Sequence, residues 1–153
     1  MSLDVSEPID QRLVSQIPKY IRQNRAAINA LVSGAGFGTT ALGVAGGTTS
    51  LTVGVDLLAV GHEVVIVTGV GVATLETIVG GTNGQIKTFI FQDSNVDLKD
   101  GVKANGKFYL NHLPALSDFT PDSDDVLELI NVDGDGAAVH GYWKESYRTY
   151  SVK

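Results

Sequence analysis

The chain has 153 residues, 43% of them hydrophobic and 18% charged, a globular rather than a disordered composition and enough for one ordinary domain or two small ones. Its formal net charge of -6 argues against a general phosphate-backbone binder, which needs clustered Lys and Arg, so no nucleic-acid partner is expected. With no cysteine, disulfides, thiol catalysis and cysteine-based zinc sites are excluded.

The N-terminus, Met1 to Gln11, carries Asp4, Glu7 and Asp10 and lacks the basic-then-apolar pattern of a secretory signal. From Pro8 to Val32, apolar residues fall at Ile9, Leu13, Ile17, Ile21, Ile28 and Leu31, a helical stripe that Pro18 divides. A second helix is expected from about Pro18 to Val32, ending before Gly34. Its other face is basic, with Lys19, Arg22, Gln23 and Arg25. Helices shorter than about 12–15 residues are marginal in isolation, so this one must dock on its own domain, on sister chains or on a partner. Residues 1–33 therefore read as a helical arm. Ile17, Tyr20, Ile21, Arg22, Arg25, Ile28 and Leu31 are its candidate contact residues, with Asn24 as a polar position of a short bundle.

Ser33 to Ser50 is rich in Gly, Ala and Thr and has neither charge nor helical periodicity. Residues 34–50 are expected to be a flexible or extended connector, or else an extended segment packed closely against other copies. The remainder, 51–153, reads as short strands. Leu51, Val53 and Val55 alternate, and His62 to Thr68 is a β-branched run. Thr74 to Val79 and Gln85 to Phe91 flank the turn signal Gly80 to Gly84. Ile86, Thr88 and Ile90 would lie on one face, with Phe89 and Phe91 on the other. Lys107 to Leu110, Val126 to Val132 and Gly141 to Tyr150 follow, the last two joined by Asp133-Gly134-Asp135-Gly136, a hairpin signature. The expected fold is mainly β: a short N-terminal helix or helix pair, the glycine-rich connector, then an antiparallel sandwich-like or barrel-like domain. The most apolar stretch, Leu51 to Val79, is broken by Asp56, His62, Glu63 and Glu76, so membrane insertion is not expected.

Candidate motifs resolve into ordinary turns. Asn131, Asp133, Asp135 and Gly136 match the start of a calcium loop, but the twelfth position is Tyr142 rather than a bidentate Glu, and a hairpin tip is the expectation. Gly34, Gly36 and Gly38 follow a helix rather than a strand, unlike a dinucleotide fingerprint. The cluster Asp122, Asp124 and Asp125 offers paired carboxylates without a pocket, and His62, His112 and His140 are dispersed. No catalytic residue, cofactor site or metal site is expected, and the protein is expected not to be an enzyme. Tyr142, Trp143 and Tyr147 admit two readings, as core or subunit-interface residues or as a receptor-binding surface.

The run TLETIVGGTNGQIKTFIF (74–91), then Asn95 to Asp100, Gly106 to Asn111, Asp118 to Ile130, and Trp143-Lys144-Glu145-Ser146-Tyr147-Arg148, resembles, in order and spacing, a module of bacteriophage fibre and capsid-decoration (head fibre) proteins. The insert from Asn131 to Gly141 departs from it, being longer than the module's short turn. The resemblance implies an intertwined homotrimer on the virion, attached by its N-terminal region to the major capsid protein or another virion protein, with the β-domain outward. A capsid-surface decoration or head fibre is the first expectation. The alternative is a short tail fibre or fibre tip binding a host-surface glycan.

Overall fold

The computed structural model describes residues 36–110 and 118–149. Ten strands follow in chain order: β1 (Phe37–Val44), β2 (Ser50–Thr52), β3 (His62–Gly69), β4 (Ala73–Leu75), β5 (Thr77–Val79), β6 (Ile86–Phe91), β7 (Val96–Leu98), β8 (Phe108–Tyr109), β9 (Val126–Val132) and β10 (Tyr142–Arg148). The mainly β expectation holds. The helical arm lies outside the described residues.

The pairing is not the expected antiparallel one. β1 pairs parallel with β3, and β3 parallel with β6. Two shorter pairs, β2 with β5 and β4 with β7, are parallel as well. Phe37 stands opposite His62 and His62 opposite Ile86, so the chain returns to the same level after 25 and then 24 residues. It winds as the stacked coils of a β-solenoid. An antiparallel hairpin then closes the main sheet, β9 pairing with β6 and β10 with β9, and β8 adds on parallel to β10. The order across the six-stranded sheet is β1-β3-β6-β9-β10-β8.

Two sequence readings change accordingly. The turn signal Gly80 to Gly84 does separate two strands, but β5 and β6 belong to different sheets, so they do not pair with each other. The segment turns a corner of the coil, with positive φ at Gly80 and Gly84, where a Cβ is disfavoured. The expected connector is in part a strand, since Phe37 to Val44 forms β1 and pairs along its whole length. The Asp133–Gly136 signature does sit between two antiparallel strands, Val132 facing Tyr142.

One core fills the coils. Leu51, Val65, Val67, Leu75, Ile78, Phe89, Phe91, Leu98, Phe108, Leu127, Leu129 and Trp143 are all buried in it. The Trp143 indole N–H donates to the Ile78 carbonyl at 2.9 Å, which satisfies the one polar atom this side chain carries inside. The inward phase of the strands also carries a charged pair, Glu63 and Lys87, aligned across β3 and β6, with Gly38 of β1 in the same row. Glu63 and Lys87 are fully buried and 2.6 Å apart. Glu63 also accepts from the Thr40 hydroxyl and from the Leu58 N–H, and Lys87 donates to the Leu58 carbonyl at 2.5 Å. Burial pushes the Lys87 ammonium below the usual lysine range, and the hydrogen bond and charge of Glu63 pull against that. At Gly38 a Cβ would come within 2.5 Å of the Leu58 side-chain tip, so Leu58 packs close over β1 there.

Candidate functional site

Two surfaces remain once the core is assigned. The first is the outer face of the six-stranded sheet. The run Val64-Val65-Ile66-Val67 places Val65 and Val67 inward and Val64 and Ile66 outward. Ile86 and Ile90 of β6 lie on the outward phase, opposite Ile130 and Val126 of β9, and Val132 lies opposite Tyr142 of β10. Phe37 stacks edge-on against His62 at 5.6 Å at one side of this face. Polar positions interrupt it at Thr39, Thr88, Glu128 and Lys144, with Thr88 bridging His62 and Glu128. Continuous apolar runs are the mark of parallel sheets covered on both faces. Among the described residues, nothing covers this one.

The second surface is a cleft of about 320 Å³ where the loop 101–106 meets the long loop between β9 and β10. Lys103, Ala104, Asn105, Asp133, Ala138, Val139, His140, Gly141 and Tyr142 line it. Its walls are pinned from behind. Buried Asn131 accepts from the Gly134 N–H at 3.0 Å and donates to the His140 carbonyl at 3.1 Å. The Asp135 carboxylate accepts from the Ala137 and Val139 N–H groups, which hold it below the usual carboxylate range. The Gly106 N–H donates to the Gly141 carbonyl, tying the two loops together. The Gly80 N–H donates to His140 Nδ1, so in the neutral ring the proton sits on Nε2. Tyr142 meets Tyr109 edge-to-face at 6.1 Å, and the Lys103 ammonium lies 4.6 Å from the Tyr109 ring centre.

The sequence-derived candidates separate on this map. Trp143 is fully buried and so takes the core reading of its two. Tyr142 is half-buried at the cleft, and Tyr147 is exposed on β10. Asn131 and Asp135, half of the calcium-like pattern, spend their side-chain oxygens on backbone N–H groups of their own loop. Asp125 is buried and accepts from the Asp122 N–H, so the acidic cluster serves as a turn cap. No group of three His, Asp or Glu poised for a metal occurs among the described residues. Ile17, Tyr20, Ile21, Arg22, Arg25, Ile28 and Leu31 lie outside those residues. Sequence reasoning missed Lys103 and Asn105; the local signal there is the Asn105-Gly106 step, a turn pair. Searched against family models, curated proteins and solved structures, the chain matches none of them.

Proposed function

We propose that the protein is a non-enzymatic structural component of a bacteriophage particle. It acts as a homotrimeric capsid-decoration or head fibre protein, attached to the major capsid protein or another virion protein through its N-terminal region, with its β-domain projecting from or cementing the shell. The observation that carries this reading is the outer sheet face. Val64, Ile66, Ile86, Ile90, Val126, Ile130 and Val132 lie on this one face, with Thr88 and Glu128 between them. Apolar side chains gathered on one sheet face and rimmed by polar ones mark an interaction site, and pairing like faces about a symmetry axis covers it in every copy at once. The resemblance of residues 74–148 to the fibre module supports the virion setting. Light scattering of the full chain at micromolar concentration tests the assembly: a trimer is expected, and a stable monomer overturns it. Labelling of particles then locates it, with the capsid shell expected and an exclusively tail position counting against the head-decoration role.

A further inference from the structure

We infer that Glu63 and Lys87 join in an intramolecular isopeptide bond, a secondary amide between the Glu63 carboxyl carbon and Lys87 Nζ that ties β3 to β6. The inference rests neither on the assembly of the protein nor on its resemblance to fibre modules. It rests on the polar groups that surround the pair.

The two residues stand opposite each other on adjacent parallel strands, so both side chains leave the sheet on its inner face. Both are fully buried, and Lys87 Nζ lies 2.6 Å from Glu63 Oε2. Glu63 Oε1 accepts from the Thr40 hydroxyl of β1 and from the Leu58 N–H at 3.0 Å. Lys87 Nζ donates to the Leu58 carbonyl at 2.5 Å. The surrounding chain thus offers two donors to one oxygen and one acceptor to the nitrogen. A secondary amide needs that set, because its carbonyl oxygen has two lone pairs and its nitrogen one hydrogen. An ion pair needs more. Among the described residues, the three ammonium hydrogens meet only Oε2 and the Leu58 carbonyl, and Oε2 meets only the ammonium. Two buried charges are costly unless their remaining lone pairs and protons are also satisfied. The amide removes both charges and leaves every polar atom of the link with a partner.

The same groups lower the barrier to forming the bond. An apolar setting favours the neutral forms of the pair, and burial already pushes the Lys87 ammonium below the usual lysine range. One ammonium proton passes to Oε2, and the freed Nζ lone pair attacks the carboxyl carbon. Negative charge develops on Oε1, where the Thr40 O–H and the Leu58 N–H already point. Nζ then gives a second proton to the Oε2 hydroxyl, which leaves as water. One C–N bond forms and one C–O bond breaks. Carboxylate plus ammonium becomes amide plus water, with no oxidant, metal or further reactant. Holding nucleophile and carboxyl in contact supplies the advantage of an intramolecular reaction over a bimolecular one. The link closes the 24 residues between successive coils into a covalent loop.

Mass spectrometry of the full-length chain, folded at neutral pH and then denatured, tests the inference. The intact mass is expected to fall below the calculated mass by one water. Cleavage at Glu76, which lies between the two residues, should leave its two products joined, and trypsin should no longer cut at Lys87. Lys87→Met is expected at its full calculated mass. Thr40→Val removes one of the two donors to Oε1, and in it the dehydrated form is expected to build up about 100-fold more slowly. Full mass in the wild-type chain overturns the inference, and that reading does not depend on any variant folding. So does a loss of water confined to a peptide that bears Asp100-Gly101, Asp133-Gly134 or Asp135-Gly136, because such steps lose water by closing on their own backbone. The same loss in Lys87→Met also overturns it. An unchanged rate in Thr40→Val overturns the role given to that hydroxyl.

Discussion

The two faces of the main sheet are built from the same strands and differ by one residue of phase. On the inner face, Val65, Val67, Phe89, Phe91, Leu127, Leu129 and Trp143 are buried, and the polar groups among them are paired. On the outer face, Val64, Ile86, Ile90, Val126, Ile130 and Val132 are half-buried by their neighbours alone, and Ile66 is exposed. A side-chain period of two makes such a division obligatory. The inner face holds the chain together. The outer face gathers Val64, Ile66, Ile86, Ile90, Val126, Ile130 and Val132 around the polar Thr88 and Glu128, and no other described strand pairs with or layers over it.

The contrast can be broken by substitution, and the largest effects belong to the inner face. Trp143→Ala removes the largest buried side chain and leaves the Ile78 carbonyl without its donor, for a loss of about 3–5 kcal/mol in chemical denaturation. Lys87→Met strands the Glu63 carboxylate in the core and is expected to cost about 3–5 kcal/mol, while Lys87→Met combined with Glu63→Leu costs less than Lys87→Met alone. If the double variant were the less stable, the buried pair would be a source of stability rather than a device that selects one strand register. Gly141→Ala comes next. With φ near 61° and Val132 O in the way of a Cβ, about 1–3 kcal/mol is expected, read as a lowered melting temperature.

Outer-face changes are expected to act on assembly instead. Ile66→Lys or Ile90→Lys should leave the folded spectrum intact and shift monomer stability by no more than about 0.5 kcal/mol. The same changes should lower the assembly state seen in light scattering. Equal unfolding by inner and outer variants would erase the distinction between the faces. The smallest effect is local. The Asp135 carboxyl is held below its ordinary value of 3.8, chiefly by the Ala137 and then the Val139 N–H, so the order it lends the loop is present above that value. It is lost as pH falls through the lower folded value. Amide exchange at Ala137 and Val139 should therefore be slower than in Asp135→Ala at neutral pH, and the two proteins should converge in acid.

Individual strands were legible because their signal is local. His62 to Thr68, Gln85 to Phe91, Val126 to Val132 and the last strand lie within a residue or two of their expected bounds, since β-branched runs and turn residues act at short range. The split of Phe89 and Phe91 from Ile86, Thr88 and Ile90 followed from the pleat alone. Half of the candidate cleft was also in view: Tyr142 and the loop from Asp133 to Gly141 were singled out, though as an aromatic tail and a hairpin tip. The other half, Lys103 and Asn105, lies about 30 residues away in the chain and had no pattern to connect it.

What the sequence determined by itself was the set of short strands, the sides their residues take and the turns between them, because period, branching and glycine act within a few residues. Only the tertiary structure decided that successive strands stack parallel at intervals of 25 and 24 residues, because a pairing partner is chosen by the energetics of the whole coil. The same long-range choice turned a presumed connector into β1, and Glu63 and Lys87 into a buried pair. It also brought Asn105 and Asp133 to the walls of one cleft, since loops distant in sequence meet only when the strands that carry them are placed.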